Sequence, residues 1–247
     1  MPTSCVIVPC YNEANRLDSS EFLAFTSAQP DVHFLFVNDG SRDGTAEVLS
    51  RLSQERPSQI HALNLPQNQG KAEAVRSAAN AIAGWKAFDY AGFLDADLAA
   101  PLATIGQLQA ALDAEPSHEF AIGSRVALLG RHIRRHASRH YTGRVFATVV
   151  SLMLRLPVYD TQCGAKLFRA RLIPELFGDP FVTKWFFDVE LIFRLLRSRG
   201  HAAAAGMFVE VPLLVWTDQA GSKLRASDFL RTPLELFRIW RRYRESR

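Results

Sequence analysis

The stretch HFLFVNDGSRDGT, residues 33–45, decides the fold. A short apolar run ends in Asn-Asp-Gly-Ser, and Asp-Gly-Thr follows as a helix start, so the segment reads as strand, turn and helix in direct succession. The same succession recurs on either side. CVIVP (5–9) precedes CYNE and a helix near Ser20, IHALNL (60–65) precedes a helix from Gly70, and YAGFL (90–94) precedes Asp95 and a Pro-started helix at Pro101. Apolar runs alternating with amphipathic helices predict an α/β fold, a mostly parallel central sheet with helices on both faces. Such sheets bind ligands beyond the carboxyl ends of their strands.

The 247 residues suffice for one α/β domain with a sizeable core. Apolar residues at 48% and charged residues at 22% exclude a disordered, collagen-like or coiled-coil chain. Twenty-nine basic against 25 acidic residues leave a net charge of +4, too small to signal nucleic acid unless it is clustered. Cys5, Cys10 and Cys163 are odd in number and lack metal-ligand spacing, and no apolar leader stands before them, so a reducing cytoplasm is expected. The longest apolar stretch, residues 145–154, makes a helix of about 15 Å, half the hydrocarbon thickness, so no bilayer span is expected.

The polar residues gather where ligands would sit. Pro9, Tyr11, Asn12 and Glu13 follow the first run, Asn38, Asp39, Gly40 and Ser41 the second, and Asp95 and Asp97 the fourth. Singly, each group reads as a loop or a helix cap. Together they suit a nucleotide, since a carboxylate at a strand end can accept from a nucleobase N–H while an aromatic ring stacks on the base. Asp95 and Asp97 can converge on one side as the strand ends. Hard cations such as Mg2+ or Mn2+ take few protein carboxylates and complete their shell with water and phosphate oxygens, which suits a diphosphate leaving group.

These strings resemble the inverting nucleotide-sugar glycosyltransferases of family 2 with the GT-A fold, in the dolichyl-phosphate glucosyltransferase and mannosyltransferase branch. The matching segments are IVPCYNE (7–13), VNDGSRDGT (37–45), NQGKAEAVRSA (68–78), LDADLAAP (94–101), IGSR (122–125), DTQCGAKLF (160–168), WFFDVEL (185–191) and VEVPLLVWTDQAGSKL (209–224). The resemblance implies a GT-A domain over 1–225, with a nucleotide-binding half (1–100) and an acceptor half (101–225), before a basic amphipathic helix at 226–247. It implies that Pro9, Tyr11 and Glu13 contact nucleobase and ribose, that Asp39 accepts from the base, and that Lys71 and Arg76 lie near the nucleotide. Asp95 would face ribose or metal, Asp97 would hold Mg2+ or Mn2+ against the diphosphate, and Arg125 would meet phosphate. Gln162 and Lys166 would lie near sugar or acceptor, and Asp188 on the acceptor side. The strings DTQCGAKLF and WFFDVEL are closer to the glucosyl branch, which makes UDP-glucose the expected donor and GDP-mannose the alternative. Ala72-Glu73 and Ala165 depart from the Gly-Gly and the aromatic residue that the family often carries there.

Displacement of a nucleoside diphosphate passes through an oxocarbenium-like state while charge grows on the leaving phosphate. A hydroxyl acceptor requires a base, for which Asp188 is the candidate; a phosphate acceptor requires none. Residues 126–159 carry no acid before Asp160, while Arg131, Arg134, Arg135, Arg139 and Arg144 gather there with His132, His136 and His140. The histidines stand among arginines that repel a cation, which argues against zinc. Without interleaved aromatics, and with apolar residues 146–156 following, the segment favours a lipid interface over nucleic acid. Arg131, Arg134 and Arg135 are therefore expected to serve a polyprenyl phosphate acceptor on the cytoplasmic membrane face, the enzyme being peripheral. A solvated basic loop before a core helix is the plainer alternative. The tail places Phe229, Leu230, Leu234, Phe237 and Trp240 at helical spacing between arginines, suited to packing or to a membrane surface. Many relatives carry C-terminal membrane helices that this sequence does not show, so recruitment would fall to these segments or to a partner. A noncatalytic nucleotide-sugar-binding protein is the rival of another class, and an acceptor hydroxyl, soluble or in the cell envelope, is the rival within the class.

Overall fold

The computed structural model describes residues 2–85, 88–134, 137–219 and 226–244, as backbone alone at 137–142 and 226–231. Seven strands form the main sheet: β1 (Ser4–Cys10), β2 (Val32–Asp39), β3 (Ile60–Leu65), β4 (Tyr90–Leu94), β5 (Phe120–Ser124), β7 (Ala165–Arg169) and β8 (Phe208–Pro212), in the order β3-β2-β1-β4-β7-β5-β8. Two short strands, β6 (His132–Arg134) and β9 (Val215–Thr217), pair in parallel beside it.

The first four strands are parallel, as their rhythm predicts. The β4 strand marks the change of direction, for β7 runs antiparallel to both β4 and β5. Apolar periodicity carries no information on direction, so the reversed β7 could not be read from KLF. Residues 1–100 and 101–225 thus share one continuous sheet.

Alternation along the strands sends Cys5 and Ile7 to one face and Val6 and Val8 to the other, giving two apolar layers. Helices α1 (Ser19–Ala28), α2 (Thr45–Glu55) and α4 (Thr104–Ala114) cover one face. On the other lie α3 (Lys71–Ala83), α5 (Ala137–Leu154), α6 (Ile173–Phe177), α7 (Phe187–Arg199), α8 (His201–Ala205) and α9 (Ala226–Arg244). The small residues Ala72, Ala74, Ala78 and Ala79 let α3 settle closely on the sheet. The helix expected at Pro101 starts instead at Thr104, because Pro101 opens a turn whose carbonyl accepts the Thr104 N–H at 2.9 Å.

Where β4 meets β7, the chains approach so closely that a Cβ on Gly92 would stand 2.2 Å from the carbonyl oxygen of Lys166. Only glycine fits there. Gly92→Ala should therefore cost about 3 kcal/mol through forced strand separation, read as a melting temperature lower by roughly 6–12 °C; an unchanged melting temperature would contradict this packing.

Candidate active site

Three loops at the carboxyl edge are tied into one platform. After β1, the Asn12 N–H donates to Ser41 Oγ at 3.0 Å, the Glu13 N–H to Thr45 Oγ1 at 2.9 Å, and the Ala14 N–H to Asp43 Oδ2 at 3.2 Å. Asp43 also accepts from the Thr45 N–H at 3.1 Å, so the second acidic turn serves as a helix start. Asp39, buried at the end of β2, accepts the N–H groups of Gln69 and Gly70 at 2.7 and 2.9 Å. Each of its oxygens keeps a lone pair for a further donor. Burial pushes the Asp39 carboxyl above the usual range, partly offset by those two N–H groups. Gly40, at φ +61°, turns back so tightly that a Cβ would lie 2.4 Å from the Gln67 carbonyl carbon. Pro9 and Tyr11 are half-buried beside this platform, and Glu13 is buried.

Beyond β4 the carboxylates meet cations. Lys71, first residue of α3, brings Nζ to 2.5 Å from Asp95 Oδ1 and lies 6.0 Å from the Phe93 and Phe187 ring centres. Burial disfavours its ammonium, but the charges of Asp95 and Asp188 outweigh that and hold its pKa above the ordinary lysine value. Asp95 rests on Gly164, where a Cβ would fall 1.9 Å from Oδ2. The Asp97 carboxyl is pushed up by burial and then by the charge of Asp95, while its Oδ1 accepts the Ala99 N–H at 3.1 Å. Two neighbouring hard oxygen donors, with the charge of Asp95 acting on Asp97, fit a shared divalent cation, which would relieve the repulsion.

A second pair lies beneath. Lys166, on β7, is 1% exposed; its Nζ stands 2.5 Å from Asp188 Oδ1, donates to the Cys163 carbonyl at 2.6 Å, and lies 5.2 Å from the Phe93 ring centre. Asp188, in the first turn of α7, also gains from the helix dipole. The contacts of Lys166 thus run to Asp188 and to the turn that carries Gly164. Gln162, half-buried in that turn, has a buried Nε2 without a hydrogen-bond partner among the described residues.

Other expected residues are already engaged. Arg125 holds Asp160 through Nε at 2.6 Å and Nη2 at 2.7 Å, with its guanidinium 4.9 Å from the Trp216 ring centre. Its reach to a phosphate is limited by that clamp. Arg76 forks onto Glu73 at 2.8 and 2.6 Å, so the unusual acid in NQGKAEAV is paired within α3. Arg131 is half-buried and Arg134 exposed on β6; Arg135 lies outside the described residues.

The chain matches the Glycosyl transferase family 2 model over residues 5–177. The chain belongs to glycosyl transferase family 2. It is 34% identical over 253 residues to the dolichyl-phosphate beta-glucosyltransferase of Drosophila melanogaster, covering 96% of this chain and 74% of that one. The human enzyme of that name is 30% identical over 240 residues, covering 89% and 68%. Among solved structures, glucosyl-3-phosphoglycerate synthase from Mycobacterium tuberculosis superposes with a TM-score of 0.70 at 16% identity, over 98% of this chain and 80% of that one. A further structure of that enzyme, holding Mn2+, UDP and glucosyl-3-phosphoglycerate, gives 0.69 at 15% identity over 96% and 80%. The fold is the expected GT-A fold, and the chain is a glycosyltransferase.

Three features of this glycosyltransferase add to the residues already named. Arg16 reaches Asp97, Lys184 packs against Gly70 near Asp39, and Glu190 accepts the N–H groups of Val182 and Thr183 at 3.0 Å, fixing the loop that carries Lys184. Glu190 stood in plain view within WFFDVEL, whereas Arg16 and Lys184 read as ordinary surface charges.

Breaking the buried pair isolates its role. Lys166→Met should lose about 3–5 kcal/mol by leaving Asp188 buried and unpaired, and Asp188→Asn in the same chain should recover a good part of it. Denaturant titration checks this; a double variant no more stable than Lys166→Met would contradict the pairing. Gly164→Ala should keep the fold and lower transfer activity, because it displaces the Asp95 carboxylate; full activity would show that Asp95 does not need its seat.

Proposed function

We propose that this glycosyltransferase moves glucose from UDP-glucose to a polyprenyl, dolichyl-like phosphate, with inversion at the anomeric carbon. The observation that carries the reading is the Asp95, Asp97 and Lys71 cluster at the carboxyl edge, in a chain whose curated relatives at about 30% identity are dolichyl-phosphate beta-glucosyltransferases.

Asp39, Tyr11, Pro9 and Glu13 surround the place for the nucleobase and ribose, on the platform of tied loops. Asp97 and Asp95 would hold a divalent cation, Mg2+ or Mn2+. Bound there, it neutralises charge on the departing diphosphate. Lys71 adds a fixed positive charge from the N-terminus of α3, and Lys184 another beside Asp39. An oxygen of the acceptor phosphate attacks the anomeric carbon, the bond from that carbon to the diphosphate oxygen breaks, and UDP leaves with the electron pair. No proton has to be removed from an ionised phosphate, so no general base is called for. That fits Asp188, whose charge is matched by Lys166; it orients sugar or acceptor and does not abstract a proton. Gln162 would turn its amide toward the sugar or acceptor.

The acceptor side faces a basic and apolar surface. Arg131 and Arg134, with Arg135 expected beside them, would meet the lipid phosphate. Leu128 and Leu129 at the tip of the preceding loop are exposed, as are Val145, Val149 and Leu152 of α5 and Leu234 and Phe237 of α9. Among the described residues no helix is long and apolar enough to cross a membrane. These faces suit a peripheral attachment, the cytoplasmic leaflet being the proposed side.

Incubation with Mn2+, UDP-glucose and a short-chain polyprenyl phosphate should yield a lipid heavier by one hexose in the mass spectrum, and GDP-mannose should not replace the donor. Transfer only to soluble hydroxyl acceptors would overturn the reading and return Asp188 to the role of base. Asp97→Asn should reduce turnover by more than about 100-fold at unchanged melting temperature, with Asp95→Asn less severe; activity within a few-fold of wild type would remove the metal assignment. Asp39→Ala should weaken UDP binding in calorimetry, and unaltered affinity would dismiss it as the base acceptor.

A further inference from the structure

Both carboxylates after β4 are faced by cations of the chain itself. Lys71 meets Asp95, and Arg16 spans from Asp97 Oδ2 at 3.6 Å to Glu13 Oε2 at 3.5 Å. The turn that presents Arg16 is well fixed: the N–H groups of Arg16 and Leu17 both donate to the Glu13 carbonyl at 2.9 Å, and the Glu13 N–H is held by Thr45. The guanidinium itself sits at the end of a long side chain about one third exposed, so it can leave without disturbing the turn.

The arrangement has an electrostatic consequence. One oxygen of Asp97 accepts the Ala99 N–H and the other faces Arg16. A divalent cation arriving alone must displace a guanidinium or approach against its charge. A nucleoside diphosphate changes this balance, since its oxygens supply further ligands to the cation and a new anionic partner for the displaced arginine.

We propose that Arg16 is a positioning residue that holds Asp97 while no nucleotide is bound and passes to the diphosphate when nucleotide and cation enter, so that the two bind as a unit. The proposal rests on the reading of Asp97 and Asp95 as divalent-cation ligands. It assigns to Arg16 a task that a merely structural surface arginine would not have: weakening the affinity for metal in the absence of nucleotide.

The test is Mn2+ binding followed by the loss of the free-ion electron paramagnetic resonance signal, with and without UDP, for wild type, Arg16→Gln, Arg16→Met and Arg16→Lys. In wild type, UDP should raise Mn2+ affinity by about tenfold or more. Arg16→Gln should bind Mn2+ alone at least about fivefold more tightly than wild type and gain correspondingly less from UDP. Arg16→Met, which keeps the aliphatic stem, should behave as Arg16→Gln does, and Arg16→Lys as wild type. Neutral variants that bind Mn2+ alone no better than wild type, while UDP still strengthens binding in all proteins, would overturn the role of Arg16 and leave the cation site standing. Mn2+ binding to none of them in the presence of UDP would overturn the cation site, and the proposal with it.

Discussion

The ion pair between Lys166 and Asp188 is the constraint on which the site depends. A lysine sealed between β7 and α7 is tolerable only because its ammonium has an anion at 2.5 Å, a carbonyl at 2.6 Å and the face of Phe93 beside it. Those three partners come from three parts of the chain, and holding them together sets the geometry above. The Cys163 carbonyl anchors the turn that carries Gly164, and Asp95 lies on Gly164. Asp188 fixes the start of α7, whose Phe187 ring packs 5.4 Å from Phe93. Lys71 then closes the arrangement from α3. The carboxylates at the carboxyl edge thus rest on a buried charge pair.

Much of this was legible in the sequence, for stated reasons. Strands and helices of the first half announce themselves by period and by turn residues, and Asp95 and Asp97 stand out because two carboxylates at the end of an apolar strand have few bland explanations. What could not be read is pairing across distance. Lys166 and Asp188, or Arg125 and Asp160, lie far apart in sequence, and no local pattern says which charge answers which. Arg125 therefore reads as a free phosphate ligand, although the structure clamps it on Asp160. Arg76 likewise answers Glu73, three residues before it, a spacing that could have been noticed on a helix. Lysines and arginines are usually solvated, so a fully buried Lys166 runs against the ordinary expectation.

The helices after β7 join the same logic to the surface. From α7, Glu190 and Arg194 point into the loop before that helix: Glu190 accepts backbone N–H groups, and Arg194 donates to the carbonyls of Leu176, Asp179 and Pro180 at 2.7, 2.9 and 2.8 Å. Tyr243 of α9 contacts both, accepting from Arg194 Nε at 3.2 Å and donating to Glu190 at 3.3 Å, while its ring stacks on Phe193. The C-terminal helix is therefore docked on the element that carries Asp188. Its outer face keeps Leu234 and Phe237 exposed, near the apolar residues Val149 and Met153 of α5.

The end of β4 is the proposed seat for the diphosphate of a nucleotide sugar together with a divalent cation. A crystal structure with UDP and Mn2+, phased to show anomalous scattering from manganese, tests it most directly. The expected result is a manganese peak within coordinating reach of the Asp97 carboxylate and beside the UDP diphosphate, with the uracil beside Asp39 and Tyr11. A UDP molecule bound elsewhere, or a manganese peak away from Asp97 with UDP in place, would contradict it.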